Sequence, residues 1–134
     1  MPTRILIVDD DATIRRLIRR LLEAEEGWLV CGEASNGADA VAKSENLHPD
    51  LIVMDLAMPN MNGLEAARQI SYAQPCIRML LLTVQQLSTQ LAQEARKVGF
   101  RAAVSKNTGA EVIHAVGALL QGQVYFPVDD SHAA

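Results

Sequence analysis

The sequence predicts an α/β fold with a mainly parallel sheet of five strands. Three observations predict it. Short apolar runs alternate with longer amphipathic stretches along the chain, which is the pattern of βα units. The runs Ile5–Val8, Leu51–Met54 and Met79–Leu82 are continuous rather than alternating, as in strands covered on both faces. A strand of ~5 residues, a helix of ~12 and two loops of ~4 make roughly 25 residues per unit. Five such units use most of the 134 residues.

The first strand, Ile5-Leu6-Ile7-Val8, precedes a helix over Ala12–Glu26. In that helix Ile14, Leu17, Ile18, Leu21 and Leu22 share one face, and Gly27 is a natural stop. The second strand is Trp28–Ala34. Ser35 or Asn36 can cap a helix over Ala38–Asn46, and Pro49 cannot continue it. The third strand, Leu51–Met54, ends at Asp55. The loop Leu56–Gly63 leads to a helix over Leu64–Tyr72, broken before Pro75. The fourth strand, Met79–Leu82, ends at Thr83. Ser88–Val98 reads as a helix with Leu91, Ala92, Ala95 and Val98 inward, stopped by Gly99. A weak strand over Arg101–Ser105 ends at Lys106. The last helix covers about Gly109–Leu120, with Val112, Ile113, Val116, Leu119 and Leu120 on one face, and Gly122 ends it. Domain organisation follows: residues 1–122 form one domain, and 123–134 a tail or the start of a linker.

Composition narrows the class. The 12 basic and 16 acidic residues give a net charge of −4, which excludes a surface that grips nucleic acid all round. Direct nucleic-acid binding by this chain is not expected. No run reaches the ~18 apolar residues of a membrane span, and the N-terminus lacks the ~7–15 apolar residues of a secretory signal. Cys31 and Cys76 form no CxxC and read as free thiols. The expected location is the cytoplasm.

The strands end on polar residues: Asp9, Asp10 and Asp11, then Asp55, then Thr83, then Lys106. In a parallel sheet all these ends lie on one edge, where ligands bind at the point of strand-order reversal. The order 2-1-3-4-5 is allowed by right-handed crossovers, and it puts strands one and three side by side there. Asp9, Asp10 and Asp55 then converge. Converging carboxylates repel, and a divalent cation relieves them. Oxygen ligands with retained waters describe a magnesium site. Thr83 adds a hydroxyl and Lys106 a positive charge. These are the parts needed to hold a phosphoryl group on Asp55. Each residue alone has a plainer reading: Asp11 as a helix cap, Asp55 as a turn residue, Thr83 as a strand-end hydroxyl, Lys106 as a solvated cation. Their convergence is what argues for chemistry.

The segments Ile5-Leu6-Ile7-Val8-Asp9-Asp10-Asp11, Asp50–Pro59, Asn62-Gly63-Leu64-Glu65, Leu82-Thr83 and Ser105-Lys106 resemble the receiver domain of bacterial two-component response regulators. The likeness runs from about residue 3 to 121. It implies the flavodoxin-like (βα)5 fold, a doubly wound parallel sheet in the order 2-1-3-4-5, and a phosphoacceptor signalling function. By that resemblance Asp55 takes phosphate from a sensor histidine kinase or phosphotransfer protein. Asp10, Asp55 and the backbone carbonyl of Ala57 bind Mg2+ or another divalent cation, with Asp9 acting through water. Lys106 pairs with phosphoryl oxygens, and Thr83 moves toward them and carries the switch. The domain catalyses only its own gain and loss of phosphate. The stretch Ser105–Val116 with Gly122 and Val124-Tyr125-Phe126 resembles the subfamily with a LuxR-type helix-turn-helix output, which implies regulated transcription. Homodimerisation is a further expectation.

Three departures from the family pattern stand out. Asn107 replaces the proline that often follows the lysine through a cis bond. A cis non-proline bond costs ~3–4 kcal/mol, so a trans bond is expected, and with it a different loop path. Ala103 replaces the switch aromatic, so coupling to Thr83 must run by loop or helix movement or by dimerisation. Val84 stands where Ala or Gly is common and is expected to slow labelling by small donors. These departures leave a degenerate receiver, a phosphorylation-independent protein-binding module, as the alternative. A true phosphatase with an aspartyl intermediate often needs a second acid two residues on, which Ala57 cannot supply. An FMN site is excluded by Asp9-Asp10-Asp11, which repel phosphate.

Arg15, Arg16, Arg19 and Arg20 read as a solvated side of the first helix, or as a kinase-docking surface. His48 and His114 have no ligand partners by spacing. Trp28 reads as a core or rim aromatic and a candidate fluorescence reporter. Met58 and Met61 flank the site loop and are expected to shield it.

Overall fold

The computed structural model describes residues 2–128. Its elements, in chain order, are β1 (Thr3–Val8), α1 (Ala12–Glu23), β2 (Trp28–Ala34), α2 (Gly37–Leu47) and β3 (Leu51–Asp55). They continue with α3 (Gly63–Ala73), β4 (Arg78–Thr83), α4 (Thr89–Lys97), β5 (Ala102–Ser105) and α5 (Gly109–Leu120). The strands form one sheet in the order β2-β1-β3-β4-β5, and every pairing is parallel. The expected architecture holds.

The continuous apolar strands are buried on both faces, and their residues divide by parity as a period of two requires. Leu6, Val8, Ile52, Met54, Met79 and Leu81 face one side, packed with Ala66, Ala67 and Ile70 of α3 and Ala92 and Ala95 of α4. Ile5, Ile7, Leu51, Val53, Leu80 and Leu82 face the other, packed with Ile18 and Leu22 of α1 and Val112, Val116 and Leu119 of α5.

Helix starts follow the short polar side chains. Asp11 caps α1 by accepting from the amides of Thr13 and Ile14. Asn36, rather than Ser35, caps α2, while Asn62 caps α3 and Ser88 caps α4. Each satisfies an amide the helix leaves free.

Several boundaries move. α1 stops at Glu23 instead of Glu26, with Ala24 as its C-cap and Gly27 at positive φ leading into β2. Leu17, assigned inward by its spacing, is 51% exposed. The fully buried residues of α1 are Ile18 and Leu22, with Ile14 packed half-buried on the same core, so Leu17 lies at the margin of the face the sheet covers. Asp55 belongs to β3 itself. Trp28 lies at the amino end of β2, half-buried against the α1/α5 core. That is the sheet edge opposite Asp55, which makes it a poor reporter of the site.

The first part of the expected tail packs on the sheet. Tyr125 forms a parallel bridge with Ala102. The Ala103 amide donates to the Tyr125 carbonyl at 3.1 Å, and the Tyr125 amide donates to the Arg101 carbonyl at 3.0 Å. Residues 129–134 of the expected tail lie outside the described residues.

Candidate phosphoacceptor site

Register positions the site. Val8 lies beside Met54, so the next residues, Asp9 and Asp55, emerge from adjacent strands. Asp55 lies beside Leu82, one residue before Thr83, and Thr83 lies beside Ser105, one residue before Lys106. The Lys106 amide donates to the Thr83 carbonyl at 2.9 Å, extending the ladder to the lysine. The predicted convergence is present: Asp10, Asp55, Ala57, Thr83 and Lys106 line one cleft of about 470 Å³.

Asp9 is fully buried beneath that cleft. Its Oδ1 accepts from the Asp11 amide at 2.9 Å and its Oδ2 from Lys106 Nζ at 2.8 Å. Asp55 is 3% exposed, with Oδ1 at 3.1 Å from the same ammonium. Asp10 is exposed at the mouth. Carboxylate oxygens of Asp9, Asp10 and Asp55 lie within 4.8 Å of one another. Thr83 is buried, and its hydroxyl accepts from the Gln85 amide at 3.1 Å.

Electrostatics match this geometry. Burial pushes the Asp55 carboxyl up from its ordinary value and the charges of Asp9 and Asp10 add to the rise, while Lys106 partly opposes it. Burial works against the Lys106 ammonium, but its hydrogen bonds to Asp9 and Asp55 outweigh that and hold its pKa above the ordinary value. Three acidic side chains cluster here, and one ammonium, Lys106, pairs with two of them. The surplus is two negative charges, which a divalent cation neutralises. The donors are all oxygen and no His or Cys joins the cluster, so the site fits a hard cation such as Mg2+ and not a thiolate- or imidazole-seeking metal.

The expected trans bond before Asn107 is present, since no cis peptide occurs among the described residues. Lys106 nevertheless points at Asp55. Val84, 64% exposed, stands on the cleft rim. Met58 and Met61 are half-buried and pack on the core beside the site loop.

The sequence gives Gly63, Arg15, Arg19 and Glu33 no role at the site, yet all four support it. Gly63 passes so close to Asp55 that a Cβ there would sit 2.4 Å from the Asp55 carbonyl oxygen. Arg15 donates to the Asp9 carbonyl at 2.6 Å, and both Arg15 and Arg19 hold Glu33 of β2, at 2.9 and 3.0 Å. Half of the arginine cluster is thus structural, whereas Arg16 and Arg20 are exposed. The only local signal was the i, i+4 spacing of Arg15 and Arg19.

The response regulator receiver domain family matches residues 5–117. The chain belongs to that family. Among receiver-containing relatives, it is 35% identical over 127 residues to the transcriptional regulatory protein YdfI of Bacillus subtilis, covering 94% of this chain and 59% of that protein. It is 36% identical over 126 residues to the response regulator UvrY of Escherichia coli, covering 93% of this chain and 57% of that protein. The chain therefore spans little more than half the length of these relatives. A crystal structure of a LuxR-family two-component response regulator from Aurantimonas superposes with a TM-score of 0.88 at 33% identity, covering 93% of this chain and 89% of that one. A protein-glutamate methylesterase of Myxococcus xanthus also matches, at 36% identity over 82% of this chain, but over only 31% of its own length. No helix of the described residues is long and apolar enough to cross a membrane.

Proposed function

We propose that this receiver is a phosphoacceptor in which Asp55 takes a phosphoryl group from a phosphohistidine on a sensor kinase or phosphotransfer protein. The observation that carries the reading is the buried Asp55 carboxylate, 3.1 Å from the Lys106 ammonium, in a cleft that Thr83 also lines. An Asp55 oxygen attacks phosphorus as the phosphorus–nitrogen bond breaks, and the imidazole leaves with its electron pair and is protonated. Lys106 and the Thr83 hydroxyl supply positive charge and a hydrogen bond to the equatorial oxygens. Asp10, Asp55 and the Ala57 carbonyl would hold the divalent cation, with Asp9 acting through water. Bound there, Mg2+ neutralises charge on the acceptor and the incoming phosphoryl group.

The receiver unit is residues 1–122. Relatives named as transcriptional regulators support a transcriptional output in a cytoplasmic protein, reached through partners, through self-association or through a part of the protein outside this sequence. The intact set of Asp9, Asp10, Asp55, Thr83 and Lys106 disfavours the phosphorylation-independent alternative. The test is intact mass after incubation with acetyl phosphate and Mg2+. Wild type gains one phosphoryl group, and this gain disappears with a chelator or in Asp55→Asn. Uptake by Asp55→Asn equal to wild type overturns the assignment.

A further inference from the structure

The segment after α5 is held at three places: the Tyr125 ring packs edge-on against His114 of α5, 4.7 Å between centroids, and two further holds lead back to the phosphoacceptor site. One is the open edge of β5, through the two hydrogen bonds between Tyr125 and residues 101 and 103. The other is α4. The Arg96 guanidinium lies over the Phe126 ring, 5.3 Å from its centroid, and Phe126 and Val128 pack on the core that contains Ala92, Ala95 and Ala103. Gln123 and Val124 are exposed and Tyr125–Val128 only half-buried, so the segment can open locally without unfolding the domain.

Helix α4 is itself suited to move. Its fully buried residues are Ala92 and Ala95, with Leu91 its one larger side chain packed at the margin of the core, so it interlocks less with the sheet than a helix with large buried side chains. Its entry loop is tied to Thr83, whose hydroxyl accepts from the Gln85 amide. A phosphoryl group on Asp55 offers that hydroxyl a new acceptor. If Thr83 turns toward it, either the loop follows the hydroxyl or the Gln85 bond is lost. Both displace the start of α4, and a rigid helix carries the displacement to Arg96. The Lys106–Thr83 backbone bond transmits the same pull to the end of β5.

We propose that Gln123–Val128 is a releasable strap on β5 and α4, loosened when Asp55 is phosphorylated, so that the strap carries the signal out of the domain. This rests on the reading of Asp55 as phosphoacceptor. Phe126 is its anchor and Arg96 the residue that couples it to α4.

The test uses the full chain with beryllofluoride and Mg2+. Fluorine NMR reports occupancy of the site, and amide hydrogen exchange reports the strap. On binding, exchange at the Ala103 and Tyr125 amides is expected to speed up about tenfold or more, and to be unchanged in Asp55→Asn. Phe126→Ala is expected to speed the same amides without ligand. By reciprocity of coupled sites it also tightens beryllofluoride binding by the factor that binding loosens the strap. Arg96→Gln does the same more weakly and Arg96→Lys restores wild-type behaviour, which separates coupling from simple loss of packing. Bound fluoride with unchanged or slower exchange at both amides overturns the strap and leaves the phosphoacceptor reading standing. Absence of any bound fluoride overturns both.

Discussion

The Lys106 ammonium lies 2.8 Å from Asp9 Oδ2, closer than its 3.1 Å approach to Asp55. Without a cation, the lysine is first the counter-ion of the fully buried Asp9. Lys106→Met leaves that carboxylate buried and unpaired, a situation that costs roughly 3–5 kcal/mol. Urea unfolding of the metal-free variant is expected to show a loss of about 3 kcal/mol, partly recovered by saturating Mg2+. A loss below about 1 kcal/mol, or no recovery with Mg2+, contradicts this pairing.

Asp55 titrates above its ordinary value because burial and the neighbouring Asp9 disfavour its charge. A raised folded-state pKa means its contribution to stability is present below the ordinary carboxylate range and is lost as pH rises through the raised value. Ionised Asp55 therefore costs stability at neutral pH. Asp55→Asn is expected to stabilise the metal-free protein at pH 7 by about 1 kcal/mol, roughly 3–5 °C in Tm. That advantage shrinks toward zero in acid. With saturating Mg2+ the order reverses, since only wild type gains binding energy. Calorimetry across pH, with and without Mg2+, checks all three.

Gly63 is required by proximity rather than by backbone angle. Gly63→Ala drives a methyl against the Asp55 carbonyl and is expected to cost about 1–3 kcal/mol, as overpacking does. It should also weaken Mg2+ binding measured by titration calorimetry, because Asp55 and the site loop must shift. An unchanged Mg2+ affinity would show that the contact relaxes without moving Asp55.

Glu33 ties the edge strand β2 to α1. Burial opposes its charge, but hydrogen bonds from Arg15 and Arg19 outweigh that and hold its pKa below the ordinary value. A lowered pKa gives stability that is present above the ordinary glutamate range and lost as pH falls through the lowered value. Glu33→Gln is expected to cost about 0.5–1 kcal/mol at pH 7, with the difference vanishing in acid. A cost that persists unchanged at low pH would assign it to packing instead.

Much of this was legible because parity and position along a strand need no side-chain detail. Continuous apolar runs identified buried parallel strands, and their polar ends named Asp9, Asp55, Thr83 and Lys106 before any coordinate. What escaped depended on distances between distant parts of the chain. Nothing in the sequence marks Gly63 as touching Asp55, or Arg15 and Arg19 as closing on Glu33. Leu17 was misplaced because spacing gives a face but not how wide an arc of it the sheet covers. The docking of Tyr125 and Phe126 was hidden for a related reason: a short segment on a sheet edge has no periodicity of its own, and its partners Ala103 and Arg96 lie on other elements.

The central claim is that Asp55 is the residue that becomes phosphorylated, and chemical trapping tests it most directly. Borohydride reduces an acyl phosphate on aspartate to homoserine, which peptide mass spectrometry locates. After acetyl phosphate and Mg2+, homoserine is expected at position 55 and nowhere else. Homoserine at position 9 or 10 instead, with Asp55 intact, would contradict the account.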